Sequence, residues 1–295
     1  MSLVQIAYLQ FVLTYIILSW SIYIVYRVGQ LNYVPVVTMA IGAYFSAFVV
    51  RDLGWPFGLA LIAAVGLGAL VAFVPARGLA RAPVYTTIIA TISLIFIGQT
   101  VFRSLEFLGG THGFFDIPRV GYVLPLACVI VVVVGFFIYR LDNSRLGRAM
   151  EVIFVDPDVA GTLGIDTYKV KVFLHVAAGA LGALGGVFHT FFMYQVHYTS
   201  FGFSLVLQLV CFIFVGGYTT MWGLVAFTPI LWAVIVFLPG AITVWRDIIL
   251  GTLLITIIIL RPEGVINKDV VRAISNKSRA WLERLRGLRT IKGGS

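Results

Sequence analysis

The chain has 295 residues, of which 60% are hydrophobic and 11% charged, with a formal net charge of +9 and mean hydropathy +1.02. Soluble domains carry about 25% charged residues, so these charges are too few to cover a water-facing surface, and catalysis in solution is excluded. The two cysteines, Cys128 and Cys211, both fall in apolar stretches and support neither a disulfide framework nor a metal site.

No Asp, Glu, Lys or Arg occurs in residues 2–26, 28–50, 53–76, 82–102, 120–139 or 172–245. A helix rises 1.5 Å per residue, so about 20 apolar residues span the ~30 Å hydrocarbon core of a bilayer. The apolar runs predict helices over 6–26, 34–50, 57–76, 84–102, 122–139, 171–194, 203–215, 224–238 and 242–260. The first lacks the basic residues that precede a cleaved signal sequence and reads as a retained helix. The run at 203–215 is short, and its glycine-rich flanks also suit a re-entrant or broken helix. The expected fold is all-α, a polytopic transmembrane helical bundle of about 8–9 membrane helices with a cytoplasmic loop. Residues 1–261 form the membrane domain, with that loop at about 140–171, and residues 262–295 form a basic cytoplasmic tail.

Charge placement orients the bundle. Beyond residue 260, nine basic residues stand against three acidic ones, so the tail carries +6 of the total +9. Positive loops stay in the cytoplasm. Arg77 and Arg81 mark one cytoplasmic loop, and Arg140, Arg145 and Arg148 another, which gives nine crossings with an outside N-terminus. Arg27 then falls inside, whereas residues 103–120 and 195–202 fall outside. In the tail, Val271, Ile274, Trp281, Leu285 and Leu288 share one helical face opposite Lys and Arg, the pattern of a helix lying on anionic lipid. That cause is simpler than nucleic-acid binding, so the lipid bilayer and no nucleic acid is expected as partner.

Between Tyr139 and Val172 the polarity changes abruptly. Five basic residues (Arg140, Arg145, Arg148, Lys169, Lys171) alternate with five acidic ones (Asp142, Glu151, Asp156, Asp158, Asp166). Residues 145–153 form a plausible short helix, and Asp156-Pro157-Asp158 is a start signal for a second that ends at Gly164. Two such helices can press into a groove on a soluble partner. An exposed connecting loop is the equal alternative.

Ser144, Arg145, Gly147, Arg148, Ala149, Asp156, Asp158, Ala160, Leu163, Gly164, Ile165 and Lys171 together resemble the coupling loop of ABC importer permeases of the branched-chain amino acid type. Within that family the resemblance is greatest to the subunit paired with a second, homologous permease. Gly29-Gln30, residues 41–44, Gly109 to Gly113, residues 179–186, Gly216-Gly217 and Pro262-Glu263-Gly264 also match, so the likeness covers about residues 29–264. Asn32, Tyr33 and Pro35 depart from the small or His residues that often follow Gly-Gln in the family. The resemblance implies a non-catalytic permease in a bacterial inner membrane, with a cytoplasmic C-terminus. Its implied partners are a second permease, two cytoplasmic ATPases and an extracytoplasmic solute-binding protein. No cofactor is expected in this chain; ATP and Mg belong to the partner ATPases, since no Gly-x-x-x-x-Gly-Lys-Ser/Thr phosphate loop occurs here. Arg145, Gly147, Arg148, Ala149, Asp156, Asp158 and Gly164 would form the ATPase-coupling contact, against plain cytoplasmic anchoring for the arginines. The implied solute is a branched-chain amino acid, or a small solute such as urea, an amide or an aromatic carboxylate. A secondary transporter or channel driven by an ion gradient is the alternative; it predicts charged or Asn-rich membrane positions, which are almost lacking.

Other residues carry weaker signals. Gly179, Gly182, Gly185 and Gly186 form a small-residue stripe best read as helix packing. Gly216, Gly217 and Thr219 can break a helix and serve as a gate or a binding element. Gln99 and Gln208, with Thr87 and Thr91, either hydrogen-bond across helices or line the route. Gly109, Gly110, Thr111 and Asp116 sit in a glycine-rich outer segment that either docks the binding protein or is an ordered loop. His175 and His189 lie fourteen residues apart, roughly 21 Å along a straight helix, so they cannot share a metal. A neutral, hydrogen-bonded His is the favoured reading of both.

Overall fold

The computed structural model describes residues 3–237 and 246–260. Among these residues the chain forms eleven α-helices and no strand. They are α1 Leu3–Tyr26, α2 Val34–Arg51, α3 Phe57–Leu79, α4 Val84–Ser104, α5 Val123–Asp142, α6 Arg145–Val155, α7 Pro157–Thr162, α8 Thr167–Met193, α9 Phe203–Gly216, α10 Met221–Phe237 and α11 Arg246–Leu260. Two 3-10 turns, Glu106–Leu108 and Tyr198–Phe201, lie at the end of the bundle opposite α6 and α7.

Nine apolar helices were expected, and each has a counterpart. Six of them, α1 to α5 and α8, are long and apolar enough to cross a bilayer. α9 has 14 residues, about 21 Å at 1.5 Å per residue and short of the hydrocarbon thickness. Proline fixes several starts because its missing N–H costs nothing in a first turn. Pro35 opens α2, Pro56 and Pro83 precede α3 and α4, and Pro157 opens α7. Several boundaries differ from the sequence expectation by a few residues: α1 begins at Leu3 rather than 6, and α3 and α5 end at Leu79 and Asp142 rather than 76 and 139. α8 begins at Thr167 rather than 171, because Asp166 caps it, and α10 begins at Met221 rather than 224. The expected amphipathic tail face (Val271, Ile274, Trp281, Leu285, Leu288) and Pro262-Glu263-Gly264 lie outside the described residues.

α8 is the axis of the bundle, wrapped by α2, α3 and α1. Small residues make that possible. A Cβ on Gly182 would overlap the Pro35 carbonyl, one on Gly186 the Met39 carbonyl, and one on Gly179 the Ala72 side chain. On α3 the buried positions Ala60, Ala64, Gly68, Ala72 and Ala76 recur every fourth residue and face α8. Within lipid there is no hydrophobic drive between helices, so close backbone approach and dispersion hold them together. The expected packing role of the glycine stripe is what the structure displays. α3, α4 and α5 turn large apolar side chains such as Val74, Ile89 and Val132 outward, as helices at a lipid or subunit boundary do.

Candidate functional site

The polar segment folds as α6 and α7 across the mouth of α5 and α8. Ser144 caps α6, its Oγ accepting from the Gly147 N–H at 3.3 Å. Gly147 rests on the last carbonyls of α5, where a Cβ would collide with the Asp142 and Leu141 oxygens. The close approach that Gly147 permits is therefore made inside this chain. Asp156 caps α7, its Oδ1 accepting from the N–H groups of Asp158 at 2.8 Å and Val159 at 3.2 Å. Gly164 takes φ +77°, which lets the chain turn back and the Ile165 N–H reach the Ala160 carbonyl. Asp166 then caps α8 through the Lys169 N–H at 3.0 Å. That backbone bond and the Lys169 ammonium hold its carboxyl below the ordinary carboxylate range.

The two short helices are amphipathic in an unusual sense. Met150, Ile153 and Ala160 are buried beneath them. Facing away are Arg145, Arg148 and Asp158 together with Val155, Val159 and Leu163, of which Val155 is 83% and Leu163 66% exposed, whereas Phe154, 43% exposed, packs edge-on to Tyr26. Ala149 is half-buried at the flank. Large apolar side chains at such exposure, set among charges rather than along a lipid-facing helix, mark an unpartnered contact surface.

Three side chains from separate elements anchor this layer to the bundle. Arg27, just beyond α1, approaches Asp142 at the end of α5 (Nε–Oδ1 3.4 Å) and Glu151 on α6 (Nη2–Oε1 3.2 Å). The Tyr23 hydroxyl donates to Asp142 Oδ2 at 2.8 Å. Burial opposes the guanidinium charge, but Tyr23, Asp142 and Glu151 more than offset it, so its pKa lies above the ordinary arginine value. A cleft of about 370 Å³ opens beside this cluster, lined by Arg27, Tyr139, Arg148, Glu151, Thr219 and Trp222.

A second buried network lies nearby. Asn32 Nδ2 donates to His175 Nδ1 at 2.6 Å, and His175 Nε2 donates to Gln30 Oε1 at 2.9 Å. Gln30 Nε2 in turn donates to the Leu79 and Ala82 carbonyls at 3.1 and 3.0 Å. The amide orientations fix the neutral Nε2–H tautomer of His175 and tie α8 to the α1–α2 and α3–α4 connections.

Residues 4–258 match the family described as branched-chain amino acid transport system, permease component. The chain belongs to that family. Comparison with curated proteins and with solved structures gave no match. In this permease the polar segment is folded rather than slack, with a side-chain cap at each helix start.

The remaining expected residues of the permease fall into separate places. Gly216 and Gly217 end α9; Gly217 takes φ +100°, and the Gly216 carbonyl leaves no room for a Cβ on Gly223, so α9 and α10 meet backbone to backbone. Thr219 lies in that turn and lines the cleft beside Arg27. Gln99 Nε2 reaches the Tyr198 carbonyl at 3.4 Å, across to the second 3-10 turn. Gln208 is buried, bonds Ser204 on its own helix at 3.4 Å and leaves Oε1 without a partner among the described residues. His189 sits edge-on to Phe11 and Phe201, far along α8 from His175.

At the opposite end, Gly109, Gly110 and Thr111 line a recess of about 400 Å³ with Arg103, Glu106 and His112. A two-residue bridge, Phe114 with Val196, pins this loop to the segment after α8, and Arg51 covers the Phe114 ring at 3.7 Å. Asp116 is exposed with φ +61° and stands outside the recess. The Arg27 cluster and the His175 network were not legible beforehand, since each joins residues more than 100 positions apart. The only local signals were the lone Arg27 closing an apolar helix and the Gly29-Gln30 pair.

Proposed function

We propose that this permease forms half of the translocation pathway of an ATP-driven importer, and that α6 and α7 are the surface on which a separate cytoplasmic ATPase acts. The observation that carries the reading is the exposed apolar set Val155, Val159 and Leu163, framed by Arg145, Arg148 and Asp158. Neither water nor lipid is a fitting neighbour for that mixture; a protein groove is. ATP and Mg act on the ATPase partners, and this chain converts their closure into helix movement. Asp156 and Gly164 shape the surface by capping and turning, and Gly147 seats it on α5.

The second permease would complete the pathway, and the loop around Gly109, Gly110, Thr111 and Asp116 would receive the solute-binding protein on the outer side. Gln208, Gly216, Gly217 and Thr219 lie on the inner side of that route or at its gate, while Gln99 steadies its outer end. The Oε1 of Gln208 supports this assignment, because among the described residues it is a buried carbonyl without a donor, free to accept from a solute or water. The family description supports a branched-chain amino acid as solute. The bacterial inner membrane, with the basic tail in the cytoplasm, is the corresponding setting. The test is solute uptake into proteoliposomes holding the permease, its partner subunits and binding protein. Uptake should require internal ATP and fail in Arg148→Glu although the variant inserts normally. Uptake by this chain alone, driven by an ion gradient, would overturn the proposal in favour of a secondary transporter.

A further inference from the structure

The coupling surface has to be connected to the helices it moves, and the geometry points to one connection. We propose that the cytoplasmic end of α1, through Tyr23, Tyr26 and Arg27, is the relay that carries movement of α6 to α5 and to the α9–α10 turn. The inference rests on the reading of α6 and α7 as the ATPase contact. Two independent sets of contacts support it.

The first set is ionic. Arg27 is 10% exposed and holds two carboxylates on different elements, Asp142 closing α5 and Glu151 in the middle of α6. Tyr23, fully buried one turn earlier, holds the second oxygen of Asp142. Separating α6 from α1 would strand a largely buried guanidinium, and stranding one partner of such a pair is far costlier than moving the pair together. α6, the end of α1 and the end of α5 are thereby linked as one moving unit.

The second set is aromatic. The Tyr26 ring meets Phe154 of α6 edge-on at 6.0 Å, Phe214 of α9 at 5.8 Å and Tyr218 of the α9–α10 turn at 5.0 Å. One side chain thus stands between the coupling helix and the glycine-broken end of α9. Gly29, with φ +74°, turns the chain after α1 beside Phe154, which a Cβ at that position would meet at 3.7 Å. Tyr218 directly follows Gly216 and Gly217, where α9 and α10 meet backbone to backbone at the Gly216–Gly223 crossing. A shift of α6 therefore reaches the α9–α10 turn through Tyr26 while Arg27 keeps α5 in step.

The experiment uses the complete transporter in proteoliposomes, with solute imported per ATP hydrolysed as the readout and ATPase content checked by co-purification. Glu151→Gln is the deciding variant, because Glu151 is 46% exposed and the isosteric amide removes its charge while keeping its shape. Glu151→Gln and Tyr26→Ala should each lower the transport-to-hydrolysis ratio about 5-fold or more, the lower end of coupling between distant sites, with ATPase content unchanged. Arg27→Lys should retain more of the ratio than Arg27→Met, since the charge survives. A wild-type ratio in both Glu151→Gln and Tyr26→Ala would overturn the relay. Loss of the ATPase itself from Glu151→Gln would also overturn it, by placing Glu151 in the docking contact. If Leu163→Asp releases the ATPase while Glu151→Gln stays coupled, the relay alone fails. If no ATPase accompanies the unmodified permease, the underlying reading fails with it.

Discussion

Replacing His175 by leucine removes both bonds of the network that ties α8 to the α1–α2 and α3–α4 connections. Asn32 Nδ2 and Gln30 Oε1 then lose their partners at 2.6 and 2.9 Å in a site where His175 is 1%, Gln30 2% and Asn32 0% exposed. An orphaned buried polar group costs about 1–3 kcal/mol, so two cost about 2–6 kcal/mol before relaxation. Helices unfolded within a membrane find substitute partners, which lowers the return on each polar contact to about 0.6 kcal/mol on average. The expected destabilisation therefore lies between about 1 kcal/mol, the membrane average for two contacts, and about 3 kcal/mol, toward the lower end of the range set by orphaned groups. Reversible unfolding in mixed detergent micelles, followed by circular dichroism, measures it. His175→Gln, which can still donate and accept, should recover part of the loss. The decisive control is the cycle formed by Asn32→Ala and His175→Ala. Additive effects, or a His175→Leu variant within about 0.5 kcal/mol of the parent, would refute the network as a structural tie.

Further outcomes follow from the packing and the caps. Gly186→Ala should destabilise the bundle by about 1–3 kcal/mol through overpacking on the Met39 carbonyl, whereas Gly66→Ala, which meets open space, should stay within about 0.5 kcal/mol; thermal unfolding compares them. Asp156→Ala should cost about 1 kcal/mol in the α7 cap, seen as lost amide protection at Asp158 and Val159. Asp166 supplies a pH dependence. Its pKa is lowered in the folded state, so the α8 cap is fully present above the ordinary carboxylate range and is lost as pH falls through the lower folded value. The Lys169 amide protection factor should hold down to that range and drop below it, and Asp166→Asn should abolish the pH dependence.

Charge-free runs of membrane length made the bundle legible from the sequence, because lipid imposes a simple length rule on every crossing helix. The two short helices of the polar segment were legible for the opposite reason: Asp156-Pro157 and Gly164 are local start and stop signals that need no tertiary context. Glycine packing on α8 was visible as a stripe, but its partners Pro35, Met39 and Ala72 belong to other helices and had no sequence trace. The Arg27–Asp142–Glu151 cluster and the Asn32–His175–Gln30 network were hidden for the same reason, since long-range polar contacts are set by the fold rather than by spacing. Asn32 illustrates the point. Its amide is the donor that settles the tautomer of His175, a residue 143 positions away.

The central claim is that α6 and α7 receive an ATPase from the cytoplasm. Affinity purification of the tagged permease from its native membrane, with and without Leu163→Asp, tests it most directly. Recovery of ATPase subunits and a second permease with the parent chain, and loss of the ATPase alone from Leu163→Asp, is the predicted result. Equal ATPase recovery with Leu163→Asp and with Arg148→Glu, in permeases that remain folded and inserted, would contradict it.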